Sequence, residues 1–264
     1  MQIPMIGTGI LETFLLVFLR VSAIVATLPV LSDRVVPVRV KAGFALLVAG
    51  LLFPVVPAGN EPAYLGMIPL ALRMASEVII GVVIGFTAQV IFAGVKLAGE
   101  LVGFQMGFAI VNVIDPVTST QVSIIAEFQY LVALLLFLVF NGHHLFLAAM
   151  AESFRLFGPL SLQNPGTLMS AILSLSKGIF VVAVKLSAPL AAVMFFTQIG
   201  LGIVVRTVPQ INIFIVGFPV QIAVGLLFLG LCMPVFAYVL ERLYGGLDGQ
   251  IALLLRLMGP SAGP

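Results

Sequence analysis

GVKLAGELVGFQMGFAIVNVIDP, residues Gly94 to Pro116, is the stretch on which the reading of this chain turns. Gly99, Gly103 and Gly107 recur every fourth residue, so a helix through them carries one bare stripe. In an apolar medium such a stripe lets another backbone approach closely, with van der Waals contact replacing the missing hydrophobic drive. Lys96 and Glu100 stand one turn apart beside it and are expected to neutralise each other, because lone charges there are costly. The stripe runs out into Asn112 and Asp115-Pro116, where proline disfavours helical geometry for the residue before it. The expectation is a close-packing helix that ends abruptly in a mobile, partly polar loop.

The chain around this stretch has 264 residues, 61% hydrophobic and 8% charged. A soluble domain carries roughly a quarter charged residues. Too few charges remain to solvate a surface, so the chain reads as an integral membrane protein. The first apolar segment has no basic leader and no small-residue cleavage site, and Glu12 and Arg20 interrupt it. It reads as a retained membrane segment and not a removed signal peptide. The single cysteine, Cys232, excludes a disulfide within the chain and offers no metal-ligand spacing. A formal charge of +2 without a basic run gives nucleic acid nothing to bind.

Arg20, inside the apolar segment 10–32, must face protein or water. Arg34, Arg39 and Lys41 in the following loop outnumber Asp33 and place that loop in the cytoplasm. Beyond a loop dense in proline and glycine (54–69), the segment from Leu70 carries Arg73 and Glu77 one turn apart, then the small pair Gly81 and Gly85. Helix from Leu70 through Phe108 would reach roughly 58 Å, against a hydrocarbon core of about 30 Å. Either Ala93-Gly94 breaks it, or this part of the protein extends well beyond the lipid. Apolar runs follow at 122–140 and 143–157, separated by Asn141-Gly142. GPLSLQNPGT (158–167) is the best domain boundary, its Asn164-Pro165 suited to start a helix. The runs 168–205 and 213–240 then form a helical hairpin, with kinks expected at Pro189, Pro219 and Pro234. The tail around LDGQIALLLRL is a candidate amphipathic surface helix. The count is about six conventional spans.

No enzyme constellation emerges. Adjacent His143 and His144 would splay about 100° apart on a helix, no HExxH surrounds them, and there is neither a GxSxG elbow nor a phosphate-cradling loop. No cofactor and no metal are expected. The intramembrane charges Glu77, Lys96, Glu100, Glu127 and Lys185 either line an ion path or hold an assembly in register. Assembly is preferred, because Arg73/Glu77 and Lys96/Glu100 are self-contained at one-turn spacing.

Three segments carry a resemblance: AGELVGFQMGFAIVNVIDP (Ala98 to Pro116), LLFLVFNGHH (Leu135 to His144) and VPQINIFIVGFPVQIAVG (Val208 to Gly225). In order and separation they resemble the FliR family of flagellar export-gate proteins, homologous to the injectisome SctT family. The resemblance implies an all-α membrane protein. A FliP-like irregular helical part (1–160) would be followed by a FliQ-like long helical hairpin and tail (161–264), within a helical hetero-oligomeric assembly. It implies a non-enzymatic subunit of the type III secretion gate in the bacterial inner membrane and flagellar basal body. The implied partners are FliP, FliQ, FlhB and FlhA, together with unfolded exported proteins and the lipid membrane.

The resemblance also implies that the loop after the glycine stripe plugs the pore. Carried across, the plug is Gly107, Phe108, Ile110, Val113, Ile114, Asp115 and Pro116. The four-residue spacing separately makes Gly81, Gly85, Gly99 and Gly103 the helix-packing glycines. Lys96, Glu100, Arg73 and Glu77 are the expected buried ion pairs. Family members often have phenylalanine where this chain has Ile110 and Val113, so the seal here is apolar without relying on aromatic stacking. The alternatives are an injectisome homologue and a secondary transporter. A transporter predicts matched broken helices in two similar halves, and the halves here are unlike each other.

Overall fold

A computed structural model describes residues 6–32, 36–56, 67–108, 123–156, 165–208 and 213–258. Every regular element among them is helical: α1 (Ile6–Thr27), α2 (Pro29–Ser32), α3 (Val38–Leu52) with a 3₁₀ turn at Phe53–Val55, α4 (Met67–Gln105), α5 (Ile124–Val139), α6 (Gly142–Leu156), α7 (Pro165–Thr207), α8 (Ile213–Gly245) and α9 (Leu247–Met258). α4 is continuous across Ala93-Gly94, which resolves the earlier alternative in favour of a helix longer than the lipid core is thick. α7 starts at Pro165, where the sequence places a helix start, and both long helices continue through their internal prolines.

Four helical stretches are long and apolar enough to cross a membrane, or five if Ile124–Val139 and Gly142–Phe154 together make one broken span. That is fewer than the six expected. α3 has 15 residues, too short for a conventional span, and the runs on either side of Asn141-Gly142 are each short as well. Asn141 itself has φ of 57°, a left-handed residue that ends one helix before Gly142 opens the next.

The helices pack as two compact units, Met1–Val90 with Asn141–Leu175 and Gly246–Pro264, and Ile91–Phe140 with Ser176–Gly245. These are a different partition from the sequential one at 158–167, since each unit draws on both sides of it.

In the first unit the small residues of α4 face α1. A Cβ at Gly81 would lie 2.6 Å from the Arg20 carbonyl oxygen, and one at Gly85 would overlap the Thr27 side chain. With the backbones this close, Arg20 reaches across to Glu77. Its Nε donates to Oε2 at 2.5 Å and its Nη2 to Oε1 at 3.0 Å. Nη1 donates to the Ser153 carbonyl at 2.9 Å, and the guanidinium lies 4.2 Å over the Phe154 ring. Arg20 is 0% and Glu77 1% exposed. A forked guanidinium–carboxylate pair with its spare donor satisfied is the arrangement in which desolvation of two charges is offset. One buried cluster therefore ties α1, α4 and α6. α9 buries Leu247, Ile251, Leu254 and Leu255 and exposes Asp248 and Gln250, an amphipathic pattern as expected for the tail.

In the second unit Phe92, Tyr130, Phe137 and Tyr244 form an aromatic knot with centroid separations of 5.4 to 6.2 Å. Tyr244 Oη donates to the Ala133 carbonyl at 3.0 Å, so the buried hydroxyl is satisfied. The knot joins α4, α5 and α8.

Candidate functional site

The glycine stripe of α4 ends in the second unit, and each glycine meets a specific neighbour there. Against Gly99 lies the backbone of Ala126, one turn into α5: a Cβ would come 2.9 Å from the Ala126 nitrogen and closer still to its Cα. Against Gly103 lies the hydroxyl of Ser123, 2.6 Å from where a Cβ would be. That hydroxyl caps α5 by accepting a hydrogen bond from the Ala126 N–H at 3.3 Å. The stripe is bare because the capped start of α5 occupies the space that side chains would fill.

At Gly107 φ is +88°, and the chain leaves the helix through a paired hydrogen-bond closure. The Gly107 N–H donates to the Phe104 carbonyl at 3.1 Å and the Phe108 N–H to the Gly103 carbonyl at 3.1 Å. This is a Schellman motif, which uses a left-handed glycine and is accompanied by an apolar contact from the next residue. Phe108 makes that contact, packing against the core of Val102, Met106, Ile125, Leu190, Met194 and Leu229. α8 completes the wall: Met106 fills the space over Gly225, and Phe218 lies 2.8 Å from where a Cβ on Gly107 would be. Gly107 thus closes one helix and Ser123 caps the start of the next, both beside the same glycine face.

Of the residues expected in the plug, Gly107 ends the helix that carries the stripe and Phe108 packs against that core. Ile110, Val113, Ile114, Asp115 and Pro116 lie outside the described residues. The expected one-turn ion pairs are re-partnered. Glu77 binds Arg20, while Arg73 reaches Glu12 at 3.4 Å. Lys96 lies 3.7 Å from Glu127 and 4.2 Å from the Tyr130 ring centroid, and Glu100 is exposed. Lys96 and Glu127 are 46% and 44% exposed, so this pair is not a buried one. The physical reason is order. Both expected pairs put the cation N-terminal to the anion, the weaker arrangement on a helix, and a partner on another helix wins.

The contributions of Ser123, Ala126, Phe218 and Gly225 were not singled out from the sequence. Ser123 did carry a readable signal, a capping residue placed directly before an apolar run. Contacts between α4 and α8 had none, being far apart along the chain. His143 and His144 sit at the start of α6 with ring centroids 4.3 Å apart. Among the described residues no cluster of three or more His, Cys, Asp or Glu is placed to hold a metal.

Long apolar helices, buried charge pairs and a capped loop root define a multi-pass helical membrane protein. Comparison with known proteins then narrows the class. A family profile described as bacterial export proteins, family 1, matches residues 11–247, and the chain belongs to that family. It is 37% identical over 252 residues to the flagellar biosynthetic protein FliR of Bacillus subtilis, covering 94% of this chain and 96% of that one. It is 34% identical to FliR of Escherichia coli over 89% of each chain. To FliR of Pectobacterium carotovorum it is 32% identical, covering 92% and 93%.

Proposed function

We propose that this protein is a non-enzymatic subunit of the flagellar type III export gate, which helps to form and to plug a channel for unfolded flagellar proteins. It sits in the bacterial inner membrane at the flagellar basal body. FliP and FliQ are its channel partners, FlhB wraps the cytoplasmic entrance, and FlhA acts with them. Residues 1–160 correspond to a FliP-like part and 161–264 to a FliQ-like hairpin and tail. Family membership and the flagellar names of the relatives support this reading over the injectisome alternative, which shares its physical arguments.

The observation that supports the gating role is the closed end of α4 at Gly107 and the capped start of α5 at Ser123. An export channel must pass an extended polypeptide and yet hold back ions when idle. An apolar constriction does this by dewetting, without a charged ring that would bind the passing chain. Ile110, Val113 and Ile114 supply the seal, and Asp115-Pro116 its hinge edge. The Schellman closure at Gly107 and the cap at Ser123 support this reading, because α4 and α5 are each closed by their own hydrogen bonds next to the segment. Deleting residues 110–114, which leaves Phe108 in its core contact, is expected to raise ion leak through the assembled gate while the complex still forms. Membrane conductance and flagellar protein export report it, and an unchanged leak sinks the plug.

A further inference from the structure

Arg20, Arg73 and Lys96 each find a carboxylate within the chain. Lys185 does not, among the described residues. It is the one charged residue between Lys177 and Arg206 and lies within a stretch apolar enough to cross a membrane. It is exposed, as are its apolar neighbours Val181, Val184 and Ala188. A lone ammonium on an apolar helix face is costly in lipid unless it snorkels or is paired.

A second polar group without a partner stands beside it. Gln129 of α5 is 6% exposed, and its Oε1 has no hydrogen-bond donor among the described residues. Gln129 and Lys185 line the same notch in the second unit, with Pro189, Cys232, Met233 and Phe236. Pro189 has no N–H to give the Lys185 carbonyl, so this turn of α7 holds a further acceptor without a helical donor. An ammonium has three donors and suits such a place. Drawing it in alone would bury an unpaired charge, which costs more than one unsatisfied amide oxygen. A carboxylate arriving at the mouth of the notch removes that cost. A snorkelling lysine bound to a lipid phosphate would leave Gln129 unexplained.

We propose that the notch lined by Gln129, Lys185 and Phe236 seats an aspartate or glutamate side chain from a neighbouring membrane subunit. Lys185 is its counter-ion, and Gln129 is the acceptor that orients the ammonium. The proposal rests on the assembly reading above and deepens it by giving the chemistry of one contact.

The test uses the full chain, tagged and co-expressed with the other gate subunits, with complexes counted by native mass spectrometry. For Lys185→Met the complex is expected to fall about tenfold or more relative to wild type. The chain expressed alone should keep its membrane level and thermal midpoint, because Lys185 has no partner to lose among the described residues. Gln129→Leu should lower the yield less, and adding it to Lys185→Met should cause no further fall. Carbodiimide treatment of the wild-type complex should join Lys185 to a carboxylate of another subunit. A Lys185→Met complex at wild-type yield overturns the proposal. So does a yield that follows anionic phospholipid content with no such cross-link, which would make a lipid headgroup the occupant. A wild-type chain that co-purifies with no membrane subunit overturns the assembly reading itself.

Discussion

Arg20 shows how far a single residue can be read in advance. A guanidinium in the middle of an apolar segment has to meet protein or water, and it meets Glu77, Ser153 and Phe154 with none of its surface exposed. The identity of the partner was beyond the sequence, because Glu77 is 57 residues away and has a nearer cation in Arg73. Glu77→Gln would leave Arg20 buried and uncompensated, a loss of about 3–5 kcal/mol. Replacing both, as Arg20→Met with Glu77→Leu, removes the charges together and should cost less than the single change. Thermal unfolding midpoints in detergent would rank the two variants. A double variant less stable than Glu77→Gln would mean that the hydrogen bond to Ser153 matters more than the ion pair.

α4 and α5 are elements whose ends matter more than their middles. Four-residue glycine spacing was legible, and with it the presence of a close-packing face, but not which helix takes it. The upper glycines, Gly81 and Gly85, receive α1, and the lower ones, Gly99 and Gly103, receive the start of α5. Gly107 serves a different purpose from the other four. Its φ of +88° costs an alanine about 1–2 kcal/mol, and Phe218 leaves little room for any Cβ. Gly107→Ala should therefore lower the unfolding midpoint, and Gly107→Asn should lower it less, since asparagine visits this conformation more readily. Equal losses would show that the contact with Phe218, and not the backbone, governs the position.

Across the whole molecule, the chain does not pack in the order in which it is written. α5, from the N-terminal part, shares a unit with most of the α7–α8 hairpin, and α9, from the C-terminal end, shares one with α1 and α6. Residues 161–264 made alone would thus lack the surfaces that α4 and α5 supply, the knot of Phe92, Tyr130 and Phe137 around Tyr244 among them. That fragment is expected to accumulate poorly in membranes and to recover when 1–160 is co-expressed. Immunoblots of membrane fractions would show it, and a fragment stable by itself would argue that the hairpin is self-sufficient. Composition and periodicity by themselves determined the solvent, the helices and the glycine face, because each is a property of local spacing or of bulk hydrophobicity; the family resemblance lay in three particular segments, Ala98 to Pro116, Leu135 to His144 and Val208 to Gly225. Partner choice for Arg20, Arg73 and Lys96, the seating of Phe108 and the division into units were decided only by the tertiary structure. Those outcomes compare groups remote in sequence, and the winner is set by distance and desolvation, neither of which a linear pattern carries.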